Sequence, residues 1–127
     1  MKEIKFREFT TSSGKKVLAG KSAENNEELI EQISNNEDVF HTAKPGSPFV
    51  NIKSARINAK DRKDAAIFCA AKSQDWRDNK SDIIVHWFKG KELYKEKKMK
   101  LGTFGVKKHK KILVKKNEIE NFLKNQK

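Results

Sequence analysis

Residues 38–53, DVFHTAKPGSPFVNIK, set two short alternating apolar runs on either side of a Pro-Gly-Ser-Pro break. Successive side chains of a strand point to opposite faces, so Val39 and His41 go one way while Phe40 and Thr42 go the other. Pro45-Gly46-Ser47-Pro48 bends the chain, because proline cannot donate to a sheet ladder, and residues 49–53 return as the partner strand. A chain built on such a break is a hairpin protein.

The flanking segments repeat the theme. Residues 3–11 alternate with Ile4 and Phe6 on one face and read as a strand. The Ser-Ser-Gly-Lys-Lys turn then leads into a second strand at 16–20. Ser22 is a good N-cap, and Glu24, Glu27 and Glu28 suit the positive end of a helix dipole. Leu29, Ile30 and Ile33 share one face of the helix so predicted over 23–34. After a loose segment at 54–60, residues 61–77 put Ala65, Ala66, Cys69, Ser73 and Trp76 on one helical face. Ile67, Phe68, Ala70 and Ala71 widen that face, so the helix should lie deep. The β-branched and aromatic run 82–88 predicts a central strand. Residues 89–102 are polar and irregular. Residues 103–108 and 110–116 predict a last hairpin turning near His109, and 117–126 a short terminal helix. The expected architecture is α+β: a mainly antiparallel sheet built from hairpins, with two main helices packed on one face and a short C-terminal helix.

A chain of 127 residues suits a single domain, expected to span 1–127. No run approaches the ~18 apolar residues of a membrane span, and the N-terminus lacks the apolar core of a signal peptide. Cys69 stands alone, which excludes an internal disulfide framework and a cysteine zinc cluster. A reduced, cytoplasmic setting is expected.

Charge is where function enters. The net charge is +12, and residues 89–116 hold 12 lysines against only two glutamates. Residues 1–88 are nearly balanced, with 15 Lys/Arg against 13 Asp/Glu. A solvated face mixes signs; positive charge focused this way repels itself unless a polyanion neutralises it. No amphipathic helix accompanies the lysines, which argues against a membrane partner. The scarcity of arginine in that segment favours phosphate contact over bidentate reading of base edges. The expected phosphate contacts are Lys95, Lys97, Lys98, Lys100, Lys107, Lys108, Lys110 and Lys111, with Tyr94 among them as a candidate stacking ring.

The remaining polar candidates weigh against chemistry. His41 as a general base would need a nucleophile, and Cys69 lies on the most apolar part of a helix expected to be buried and inert. His41, His86 and His109 match no compact metal-ligand spacing. Trp76 falls on a core face, while the face of Trp87 is left open. No catalytic residue, metal, cofactor or small-molecule substrate is expected.

The stretches ENNEELI (24–30), DVFHTAKPGSPFVNIKS (38–54), DAAIFCAAKSQDWRD (64–78) and LYKEKKMKLGTFGV (93–106) follow one another in an order that resembles the NFACT-R domain. This is the RNA-binding module of the ribosome-quality-control factors that act on obstructed large ribosomal subunits. The resemblance runs from Phe6 to Lys115 and fits a stand-alone copy, without the N-terminal module and coiled-coil arm of the full factors. Many relatives carry a second histidine straight after the Gly-Ser pair; Pro48-Phe49 marks a subgroup. The resemblance implies RNA contact. Together with the charge, it leads to a non-catalytic module for structured RNA of the translation machinery, tRNA or rRNA, on or off the ribosome. Asn25, Asn26, His41 and the Pro45-Gly46-Ser47 turn would shape a second contact surface. The alternative is an adaptor docking on an acidic ribosomal or partner protein surface.

Overall fold

In a computed structural model describing residues 4–125, the elements run β1 (Arg7–Thr10), β2 (Lys16–Ala19), α1 (Ala23–Glu31), β3 (Asp38–Thr42), β4 (Val50–Ile52), α2 (Ala59–Ala71) and α3 (Gln74–Asn79). They continue as β5 (Ile83–Lys89), a 3-10 turn (Gly90–Glu92), β6 (Leu93–Tyr94), β7 (Gly105–Val106), β8 (Lys110–Val114) and α4 (Lys116–Lys124). Glu3 and Gln126, at the outer ends of a predicted strand and helix, lie outside the described residues.

The Pro-Gly-Ser-Pro break makes its hairpin, with Phe40 opposite Val50 and Val39 opposite Asn51. It sits in the middle of a six-stranded antiparallel sheet ordered β1-β2-β4-β3-β5-β8. The fold is therefore α+β, as the hairpin pattern predicted. β5 is interior, paired on both sides by β3 and β8.

The helices depart from expectation: they cover both faces. Phe40, Val17, Val50, Ile52, Ile83 and Val85 pack against Ala65, Ala66, Cys69 and Trp76 of α2 and α3 and Ile119 of α4. Val39 and Phe88 turn the other way and pack with Leu29 of α1, with Phe49, and with Leu93, Phe104 and Val106 around β6 and β7. The reason lies in adjacent apolar pairs such as Val17-Leu18, Val39-Phe40 and Trp87-Phe88. Strand alternation sends one member of each pair to either face, so both faces need a cover. Val39 and Phe40 are both fully buried, each stabilising the fold by about 1.5–3 kcal/mol.

Local chemistry sets the helix ends. Ser22 Oγ accepts from Asn25 N–H at the start of α1. Asn58 and Asp61 form a capping box on α2. The single helix expected over 61–77 is two, because Ser73 ends one and starts the next. Its Oγ donates to Ala70 O at 2.7 Å and accepts from Trp76 N–H at 3.1 Å. Asp61, itself buried, ties α2 to the first hairpin by accepting from Thr11 Oγ1 at 2.8 Å and Ser13 Oγ at 2.5 Å.

The last hairpin is also rearranged. β7 pairs with β6, Leu93 opposite Val106 and Tyr94 opposite Gly105, while β8 leaves it to become the edge of the main sheet beside β5. Gly105 lets the Tyr94 ring lie directly across the backbone there; a Cβ at this position would displace the ring. No helix among the described residues is long and apolar enough to cross a membrane.

Candidate nucleic-acid interface

The lysine-rich segment divides between two places: Lys107, Lys108 and Lys110 stand beside the end of β5, where β8 begins, while Lys97, Lys98 and Lys100 lie on the loop between β6 and β7. Lys97, Lys98, Lys100, Lys107, Lys108, Lys110 and Lys111 are all exposed. Among the described residues none of these seven forms an ion pair. The paired lysines are Lys16, Lys44, Lys53, Lys60 and Lys63 outside the segment, and Lys89 and Lys95 within it. Lys110 sits opposite Trp87 and Lys111 opposite His86, so the two ammonium groups leave the edge strand on opposite faces. The positive field therefore wraps the edge.

Lys95 is taken out of the set. Its ammonium donates to Glu27 Oε2 at 2.8 Å, to Lys100 O at 2.6 Å and to Thr103 O at 2.7 Å. All three of its donors are used inside the protein. Gly102 N–H also donates to Glu27 Oε2, at 2.7 Å. The bonds from Lys95 and then Gly102 hold the Glu27 carboxyl below its usual range. Gly102, at φ +80°, lies so close to α1 that a Cβ would stand 2.7 Å from Ala23 Cα. The loop at 95–104 is thus riveted to the start of α1, presenting Lys97, Lys98 and Lys100 outward. Tyr94 spends one side of its ring on Gly105 and is 39% exposed.

Two hollows lie against β5. The first, of about 680 Å³, is lined by Trp87, Phe88, Lys89, Glu92 and residues 107–110. The second, of about 520 Å³, opens between the 45–47 turn, the start of α1 and the 101–106 segment, with His41, Phe49, His86 and Phe88 among its walls. Phe88 belongs to both.

The second hollow brings together His41, Asn26, Pro45, Gly46 and Ser47, five residues of the expected second contact surface. Ser47 Oγ accepts from Thr42 N–H at 3.0 Å and donates to Pro48 O, which shapes the turn. Gly46 O accepts from Gln74 N–H, docking the turn on α3. Asn26 Oδ1 accepts from Phe49 N–H at 3.3 Å. His41 donates from Nδ1 to Thr42 O at 2.8 Å and packs on Phe49 at 4.5 Å between ring centroids. Burial pushes its pKa down despite that bond, so the imidazole is neutral at pH 7. Asn25 is absent from the hollow. It is buried, accepting from Lys21 N–H and donating to Lys5 O and Glu28 Oε1, so it anchors the segment before β1.

Trp87 settles on the α2 face, half-buried. Its indole N–H donates to Asp38, and the guanidinium of Arg62 lies 4.1 Å above the ring. Trp76 is core. His86 stacks on His109 at 3.8 Å, which holds the 107–110 turn over the sheet. Burial, then the charges of His109, His41 and Lys111, push the His86 pKa down. Cys69 is fully buried and burial lifts its thiol to about 12. Among the described residues no group of three or more His, Cys, Asp or Glu side chains is placed to hold a metal. Sequence reasoning overlooked Arg62, whose partner is 25 residues away.

An antiparallel sheet with exposed, unpaired lysines between residues 97 and 111 defines a strongly basic α+β module. The chain matches the family described as NFACT protein RNA binding domain over residues 5–108, and it belongs to that family. It is 31% identical over 94 residues to the archaeal Rqc2 homolog aRqcH of Methanocaldococcus jannaschii, covering 72% of this chain and 14% of that protein. Its fold is similar to the C-terminal part of the fibronectin/fibrinogen-binding protein of Streptococcus suis, with a TM-score of 0.81 at 22% identity, covering 95% of this chain and 50% of that one. The chain thus spans half or less of the length of these relatives.

Proposed function

We propose that this RNA-binding-family chain is a non-catalytic module that grips structured RNA of the translation machinery, a tRNA or ribosomal RNA, in the cytoplasm, in a role akin to ribosome-associated quality control. One observation carries the reading. Lys97, Lys98, Lys100, Lys107, Lys108, Lys110 and Lys111, all within residues 97–111, stand exposed and, among the described residues, without a carboxylate partner, whereas Lys16, Lys44, Lys53, Lys60 and Lys63 are matched with carboxylates. Ammonium point charges spread over both sides of an edge suit a phosphate backbone that is followed by shape, as in structured RNA. The non-catalytic part of the reading is supported by a thiol held far from ionisation and a neutral His41 already bonded to the backbone.

Replacing Lys97, Lys98, Lys107 and Lys108 by Glu tests it. Binding to total tRNA, followed by fluorescence anisotropy, should weaken by on the order of 100-fold or more. The thermal midpoint should hardly move, because exposed unpaired side chains contribute within about 0.5 kcal/mol. Undiminished binding in that variant defeats the proposal.

A second reading, docking on an acidic protein surface, is favoured by the cross-strand pair Ile84 and Leu113, which lie exposed beside Lys111. Excess tRNA should displace such a partner only if both use the lysines of residues 97–111.

A further inference from the structure

We propose that His86, His109 and Lys111 form a proton-linked seat for one phosphate of the bound RNA, so that the chain grips RNA more tightly as pH falls through the imidazole range; this rests on the RNA reading above and adds a pH response to it. The chain has three histidines, at positions 41, 86 and 109, and folding gathers all of them. His41 stands opposite His86 across β3 and β5, and Lys111 stands opposite His86 across β5 and β8. Directly paired residues share a face of the sheet, so these three form one row. The His109 ring reaches back from the 107–110 turn and stacks on His86 at 3.8 Å, with the two planes 22° apart.

The row is open to a ligand. The next pair on the same face, Ile84 and Leu113, is 42% and 48% exposed, so that end of the sheet is uncovered. His109 and Lys111 are exposed, and His86 is partly buried. Among the described residues, His41 alone of the three rings makes a hydrogen bond, from Nδ1 to Thr42 O. The nitrogens of His86 are neither bonded nor sealed from solvent, and Lys111 has no carboxylate partner. Donors without acceptors meet here on one surface.

The surroundings select an anion. The titratable and charged groups acting on His86 are His109 from the turn, His41 from β3 and Lys111 from β8, with no carboxylate among them. The 101–106 segment and α1, which close the hollow beside His86, contribute no titratable residue to its walls. A proton on His86 therefore lies among positive groups, and burial, then His109, His41 and Lys111, push its pKa down. A phosphodiester stays ionised throughout this pH range. Placed against the rings and Lys111, it accepts from imidazolium and ammonium together and reverses that balance. Binding then takes up protons wherever the free rings are neutral, so affinity rises as pH falls.

The test follows binding of the full chain to total tRNA by fluorescence anisotropy at fixed salt, from about pH 8 to about pH 6, with circular dichroism checking the fold at each step. Affinity should rise on the order of 5-fold toward the acid end, and the slope of log K against log salt should steepen by about one. Calorimetry in two buffers of different ionisation enthalpy should record net proton uptake on binding. His86→Gln/His109→Gln, which keeps polar side chains that cannot charge, should abolish both the uptake and the pH response; His109→Gln alone, on the exposed turn, should weaken both. Equal tRNA affinity across the range, or a pH response that persists in the double variant, overturns the phosphate seat and leaves the RNA reading standing. If tRNA binds at no pH, the RNA reading fails and the seat falls with it.

Discussion

Asp61 shows how one carboxylate can hold two distant segments. Burial alone would raise its pKa, but the bonds from Ser13, Thr11 and the Asn58 backbone outweigh burial and hold it below 3.8. Asp61→Ala strands those donors and removes half of the α2 capping box, so it should cost about 2–4 kcal/mol in urea unfolding. The histidines set the pH response at the other end of the scale. His41 and His86 both have folded pKa values below 6.5, so between those values and 6.5 the unfolded chain binds more protons than the folded one. Their contribution is complete above 6.5 and is lost as pH falls. Glu27 and Asp61, lowered from 4.5 and 3.8, act only in more acid solution. Thermal melts should therefore decline in two stages, the first starting near pH 6.5. A His41→Gln/His86→Gln variant should lose the first stage and keep the second; an unchanged first stage would mean that other groups drive it.

At the scale of elements, the 95–104 loop and α1 behave as one unit through Glu27. Lys95 and Gly102 both donate to its Oε2, and Lys95 caps two loop carbonyls besides. The pair is partly exposed, 32% for Lys95 and 24% for Glu27, so its global contribution is at most about 1 kcal/mol. Glu27→Ala should accordingly leave the β3 amides as protected as before while Gly102 N–H exchanges faster. Equal acceleration of both would show that the rivet supports the whole fold. These pieces were unevenly legible. The 38–53 hairpin and the first hairpin follow from alternation and turn residues within a few positions. The pairing of β6 with β7, and β8's move to the sheet edge, depended on which strand could fill the place beside β5. No local pattern encodes that choice.

Across the whole molecule, the arrangement of charge predicts a steep salt response. With about four to six of the seven exposed lysines between residues 97 and 111 that lack an ion pair on phosphates, log K should fall against log salt with a slope of roughly −3 to −5. A flat titration would exclude backbone contact as the main term. The amino-acid sequence alone determined the hairpin, the α+β class, the family, and the concentration of lysine between 89 and 116, because each is a property of composition or of neighbours along the chain. Tertiary structure alone decided which lysines stay free. Lys95 meets Glu27 across 68 residues, Asn25 turns inward to Lys5, and Arg62 reaches the Trp87 ring across the sheet face. An ion pair or a pocket exists only where folding brings separated segments within a few ångströms. The two faces of the sheet were divided in the same way, since α1 had to go wherever Val39 and Phe88 remained uncovered.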